Sequence, residues 1–149
     1  MVAAGLVSAI LVALLGGCFG LFLHEGTHYT VGRIWTSDLD IVSSGSVPLP
    51  SRVMFHNPHA VPDYGIRLAG GAVLIWILPC ISVLLTTLAA PSGSRIFLTT
   101  VLAVGAAPSP ADCVAIFKPQ VWKAMEVSNR EYGSFDSLRV LYGTPLDDV

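Results

Sequence analysis

Charge is what this chain has least of. Of its 149 residues, 12% are Asp, Glu, Lys or Arg, against roughly 25% in ordinary soluble domains. Hydrophobic residues make up 53%. The chain also lacks a basic cluster interleaved with aromatics, and its net charge is −2, which sets nucleic acid aside as a partner. Cysteine is thin as well. Cys18, Cys80 and Cys113 are odd in number and scattered, so they are no disulfide framework. They read as small buried residues, with Cys113 weighed as a metal ligand because it adjoins Asp112. There is no internal repeat and no low-complexity tract, and the length leaves room for one compact unit.

Long apolar runs take the place of charge. Three segments reach the roughly 20 residues that cross a hydrocarbon core: Val2 to Leu23, Leu68 to Ala90, and Ile96 to Phe117. The first carries no charge at all and is expected to continue as helix to about Trp35. It lacks a basic n-region and its apolar run exceeds an ordinary h-region, so it reads as a span and not as a cleaved signal. The third holds one charge, Asp112, after a Pro108-Ser109-Pro110 break, and Lys118-Pro119 stops it. The expected fold is an all-α membrane protein of three transmembrane helices, with a cytoplasmic loop holding a short β-hairpin. Residues 1–117 form the membrane-embedded core and 118–149 an interfacial cytoplasmic tail.

Basic residues orient this arrangement. Arg33, Arg52, Arg67, Lys118, Lys123, Arg130 and Arg139 fall on one side and Arg95 alone on the other. The N-terminus is therefore expected outside and the Thr36–Gly65 loop and tail in the cytoplasm, with Trp35 and Trp122 at the inner interface. The chain is thus expected to be an integral protein of the cell membrane, in contact with the lipid bilayer.

At the end of the first run stands His24-Glu25-Gly26-Thr27-His28, an HExxH motif. Residues four apart share a helical face, so both imidazoles can bind one Zn²⁺ while the neighbouring Glu reaches a water on the metal. Ionisable groups at membrane depth are costly and mark functional sites. Counting at 1.5 Å per residue, His28 and His24 lie roughly 7 and 13 Å inward of Arg33, and Asp112 roughly 9 Å inward of Lys118. The shared depth makes Asp112 the expected third ligand and leaves a fourth position for water. The bland readings are two satisfied core histidines and, for Asp112, a helix cap after the Pro-Ser-Pro break. The cap and the ligand role are compatible. Glu25 points about 100° around the helix from His24 and is the expected general acid/base.

Lesser features complete the reading. Gly16, Gly17, Gly20 and Gly26 form a small-residue track, and Gly70 and Gly71 another, of the kind that lets helices approach closely. Ile41-Val42 and Val53-Met54-Phe55, around Gly45, Pro48 and Pro50, read either as two short strands or, equally, as an irregular interfacial loop. An exposed strand edge beside the metal can hold an extended peptide by β-augmentation. His56 and His59 flank Asn57-Pro58 and read as loop histidines. Val121, Trp122 and Met125 have the spacing of a short amphipathic helix lying on the membrane.

HExxH closing one membrane helix, with a Pro-containing Asp motif on a later one, resembles the site-2 protease family of intramembrane zinc metalloproteases and small membrane zincin relatives. The resemblance covers about residues 15 to 117. It rests on His24 to His28 and, more loosely, on Pro108-Ser109-Pro110-Ala111-Asp112. It implies His24, His28 and Asp112 as zinc ligands, Glu25 as catalytic acid/base, and a three-helix core open to the cytoplasm. The implied substrate is a membrane protein or peptide, embedded in the bilayer or next to it. Two positions depart from the family pattern. Asp112 is followed by Cys113 where the family has Gly, and Val104-Gly105-Ala106-Ala107 offers no Asn to hold substrate or oxyanion. Ser109 is the substitute at hand. The rival class is a non-catalytic membrane protein that uses the same zinc structurally or as a sensor. Bis-histidine haem or copper binding is weaker, because two His on one face suit one ion and not the two faces of a haem.

Overall fold

The computed structural model describes residues 2–43 and 48–132, with side chains between 5 and 128. Helix α1 runs Val2–Gly32. No proline interrupts its ladder and no Lys, Arg, Asp or Glu precedes Glu25. It stops at Gly32, where an added Cβ would stand 2.8 Å from the Phe55 ring, and a turn leads into a hairpin. Strands β1 (Leu39–Ser43) and β2 (Pro50–Phe55) pair antiparallel, Leu39 opposite Phe55 and Ile41 opposite Val53. This is the hairpin that the apolar pairs around the prolines announce. Gly45 and the rest of 44–47 lie outside the described residues.

The next helical stretch begins at Asp63, five residues before the expected Leu68. An acidic residue in a first helical turn complements the helix dipole. The stretch is also not one regular helix. Helix α2 (Asp63–Gly71) passes into a 3₁₀ segment, Ala72–Trp76, and then into α3 (Ile77–Ala89). The cause is Pro79. It lacks an N–H and its ring crowds the carbonyl four residues back, that of Ile75, so the ladder tightens just before it. Helix α4 (Gly93–Ala106) starts at a Ser92 N-cap whose hydroxyl accepts from Arg95 N–H. After Ala107-Pro108-Ser109 comes α5 (Pro110–Phe117), bent 44° from α4. Helix α6 (Pro119–Tyr132) follows one non-helical residue later.

Among the described residues the protein is therefore mostly helical with one small two-stranded sheet, the β1–β2 hairpin. Two helical stretches among the described residues, Gly5–Gly32 and Asp63–Ala89, are long and apolar enough to cross a membrane. A third crossing exists only if the bent α4–α5 pair counts as one span. Large apolar side chains point outward along these elements, Leu78 and Leu88 being 75% and 72% exposed. Buried instead are His24, Glu25, Thr27, His28, Asp112, Lys123 and Glu126. That inversion suits a hydrocarbon surround, where apolar surface needs no cover and polar groups must be satisfied internally.

Backbone proximity holds the elements together. A Cβ on Gly16 would stand 2.8 Å from the Phe97 carbonyl oxygen, and one on Gly20 2.5 Å from Val104 Cβ, so α1 and α4 touch at glycine distance. Gly70 does the same for α2 and α5, its would-be Cβ lying 2.7 Å from Ala115 Cβ. The other expected members of the tracks differ: Gly17 and Gly26 face open space, and Gly71 has only ordinary contacts. At the basic end of the molecule, Leu39, Val53, Phe55, Val61, Ile66, Ala69 and Ala115 form a conventional core, with Trp35 and Trp122 packed on it. Helix α6 is bound into this end and not splayed from it. Phe55 and Trp122 meet edge to face at 5.3 Å, and Lys123 Nζ and Gln120 Nε2 each donate to Asp63 at 2.8 Å. The stripe at 121, 122 and 125 thus turns toward protein, Met125 being buried. Residues 133–149 of the expected tail lie outside the described residues.

Two glycine substitutions separate close approach from mere smallness. Gly20→Ile should cost about 2 kcal/mol or more, the scale of overpacking. Gly17→Ala, which meets nothing, should stay within about 0.5 kcal/mol of the parent. Thermal unfolding in detergent reads both.

Candidate metal centre

The last turns of α1 place His24 and His28 one helical turn apart on the side facing α5, with Glu25 the residue after His24. The two imidazoles stand edge to face with centroids 4.6 Å apart. Opposite them, the Pro108-Ser109-Pro110 break ends α4 and restarts the chain as α5. Ser109 is the N-cap and Asp112 the third helical residue of a complete capping box. The Ser109 hydroxyl accepts from Asp112 N–H at 3.2 Å, and Ser109 N–H donates to Asp112 Oδ2 at 2.6 Å. Asp112 is therefore a capping-box residue and also a member of the histidine cluster, since its Oδ1 lies 3.1 Å from His28 Nε2 and its Oδ2 3.4 Å from His24 Nε2. The two imidazole Nε2 atoms are 3.1 Å apart. All three residues are buried.

Proton placement decides what this triangle is. His28 Nδ1 lies 2.7 Å from the Ala69 carbonyl oxygen, which can only accept, so Nδ1 carries a hydrogen. In the neutral ring Nε2 is then a lone pair, aimed at a carboxylate oxygen and at a second imidazole. Such a convergence of acceptors calls for a cation. A proton on Nε2 makes the His28–Asp112 edge an ion pair. A divalent metal satisfies all three edges together. With bonds of about 2.0–2.1 Å and tetrahedral angles, zinc ligands sit roughly 3.3 Å apart; the two imidazole nitrogens stand near that spacing at 3.1 Å, and Asp112 meets them with its two oxygens, Oδ1 at 3.1 Å from His28 and Oδ2 at 3.4 Å from His24. The donor set, two imidazoles and one carboxylate, is one that zinc accepts. His24, His28 and Asp112 can therefore hold a metal ion, and their Ala69 and Ser109 partners fix the outer side of the shell.

Glu25 is buried beside the triangle but is not one of its three atoms. Its carboxylate faces the backbone N–H of Val53. Glu25, the cluster, Ser109 and residues of β2 line a common cavity of about 170 Å³. Its far wall is Trp122, Met125 and Glu126 of α6. On the opposite side of α1, Trp76 Nε1 donates to the Thr27 hydroxyl at 2.9 Å, tying the 3₁₀ segment to the motif helix.

Other candidates stay apart. Cys113 is exposed and outside the three-residue group. His56 pairs with Asp40 at 2.8 Å on the surface, and His59 is exposed on a short 3₁₀ turn. Ser109 lines the cavity, as an oxyanion-holding group would, but its hydroxyl oxygen serves as the cap. What motif reading missed is the α6 wall. The available signal was Glu126 itself, a carboxylate one turn after Trp122 and beside Met125 on the apolar stripe. Comparison with family models, curated proteins and solved structures returned no match in any of the three.

Removing the carboxylate should disable the centre, while loosening it should only weaken it. Asp112→Ala should reduce zinc affinity by at least about 100-fold, beyond the usual loss for an outer-shell change. Ser109→Ala should cost about 10-fold. Competition with a chromophoric chelator measures both.

Proposed function

We propose that this chain is a zinc-dependent intramembrane endopeptidase, similar in kind to the site-2 proteases, that hydrolyses peptide bonds of membrane-embedded or membrane-adjacent substrates. The observation that carries the reading is the buried convergence of His24 Nε2, His28 Nε2 and the Asp112 carboxylate within 3.1–3.4 Å, with a second carboxylate, Glu25, next to it in the same cavity. A structural cluster needs the first three. Hydrolysis gives the fourth a role as proton carrier.

Zinc bound there would act as a Lewis acid and lower the pKa of a coordinated water toward about 7. The chain supplies the remaining parts. His24, His28 and Asp112 hold three positions, with Ala69 and Ser109 setting their orientation. Glu25 takes a proton from the attacking water and returns it to the departing amine nitrogen. The low-dielectric cavity strengthens each of these interactions. The outer edge of β2 runs along the cavity, where an extended peptide can add as a strand and lay its scissile bond beside Glu25. In this reading the bent α4–α5 pair is the third span. The hairpin and α6 face the cytoplasm, as Arg33, Arg52, Arg67, Lys118 and Lys123 at that end favour.

A second reading rests on the same imidazole–carboxylate contacts: the cluster only ties α1 to α5, as a structural or sensing zinc site. Glu25→Gln divides the two. For an enzyme it keeps one zinc per chain and slows hydrolysis of dye-labelled β-casein, or of single-span peptides in detergent, by about 10²–10⁴-fold. A structural site predicts zinc retained, no hydrolysis by the parent protein, and no change in the variant.

A further inference from the structure

The outer edge of β2 is already occupied. In an antiparallel ladder the N–H groups of successive residues point alternately toward the partner strand and away from it. His56 N–H reaches inward to the Asp38 carbonyl at 3.0 Å, so the N–H groups of Phe55 and Val53 point outward, toward the cavity. The first meets a carboxylate of this same chain: Phe55 N–H donates to Glu126 Oε1 at 3.0 Å in a buried bond across 71 residues of sequence. Val53, roughly 7 Å away along the strand, lines the same cavity as Glu25. One outward donor is thus met as an added strand would meet it, but by a side chain.

The geometry points to α6 as a lid in which Glu126 stands in for a substrate main chain on the β2 edge, so that an extended peptide must displace it to reach the metal. This rests on the peptidase reading above and concerns access to the same site. Helix α6 is built for such a role. A single non-helical residue, Lys118, joins it to α5, and it is pinned at its first turns by Gln120 and Lys123 on Asp63. Between the pins and Glu126, Trp122 and Met125 close the cavity's far wall. Glu126 is 5% exposed and Lys123 equally buried, so the lid is seated in protein.

The test separates this from catalysis by reading binding alone. Zinc-loaded full-length Glu25→Gln protein in detergent is titrated into dye-labelled β-casein, an unfolded polypeptide, and compared with the Glu25→Gln/Glu126→Ala double variant by fluorescence anisotropy. Breaking one charge-assisted hydrogen bond that competes with the ligand should tighten binding about tenfold. Amide exchange in the peptide containing Phe55 should accelerate in the casein-free double variant and slow again on binding. Zinc content of one per chain in both proteins shows the site intact. If Glu126→Ala does not fold, Glu126→Gln, which keeps an acceptor and loses the charge, carries the test with an expected tightening of about threefold. Equal or weaker binding would show that Glu126 supports the strand and does not cover it, and absence of casein binding in every variant would show that the edge takes no strand. Either result overturns the lid. Absence of hydrolysis by the zinc-loaded parent protein, with Glu25 intact, alongside casein binding that Glu126→Ala tightens would instead count against the peptidase reading alone.

Discussion

Two imidazoles and a carboxylate buried together in a predominantly apolar helical body impose the constraint to which the rest of the protein answers. Desolvating an ion costs several kcal/mol even after relaxation, and a carboxylate held 3.1 and 3.4 Å from two ring nitrogens is tolerable only with positive charge between them. Every neighbouring device serves that requirement. Ala69 withdraws one histidine proton from the triangle. Ser109 donates its backbone N–H to Asp112, and the first turn of α5 lends the carboxylate the favourable end of its dipole. The site is paid for in backbone hydrogen bonds, which cost no side-chain entropy to position.

Bringing α1 and α5 to that distance is a backbone problem, solved at points where regular helix is given up. The break at 107–109 turns α5 by 44° from α4, so that the chain crosses back toward the motif. Without the turn, Asp112 would continue along the α4 axis. Gly70 lets α5 settle on α2, within reach of Ala115 Cβ and the Asp112 carbonyl. Arg67 then donates to the Ile116 carbonyl at 2.5 Å, satisfying an acceptor that the end of α5 leaves open. The 3₁₀ segment before Pro79 lies at the depth of the motif, where Trp76 can bond Thr27. Irregular backbone is thus concentrated around the polar centre, where neighbouring groups can satisfy it.

How much of this is legible in sequence depends on whether a signal is local. HExxH is read directly, because a 3.6-residue period places His24 and His28 on one face whatever surrounds them. Asp112 could be reached by counting depth from Arg33 and Lys118, on the expectation that both helices start from one interface. The hairpin was announced by its turn residues. Three things were not legible. Proline at 79 marks a disturbance but not whether the helix kinks, breaks or tightens. Asp63 and Arg67 resemble loop residues, yet both are helical because their partners, Lys123 and the Ile116 carbonyl, come from 49 or more positions away. The stripe on α6 declares an apolar face without saying what it faces. A membrane surface and the rings of Phe55 satisfy that pattern equally, and only the long-range contact to Glu126 decides between them.

That last ambiguity has a physical consequence. A helix with one apolar face at a membrane interface has two partners of similar worth, since lipid and protein both remove it from water. Leaving the Phe55 pocket for the bilayer surface costs α6 little of the burial of Val121, Trp122 and Met125. What it would forfeit is specific: the Phe55–Trp122 ring contact and the Phe55–Glu126 bond. The second of these is a bond that a competing main chain can replace. The interface that makes α6 hard to assign from its stripe is also what makes a docked and an undocked arrangement close in energy, and a lid needs that closeness to open.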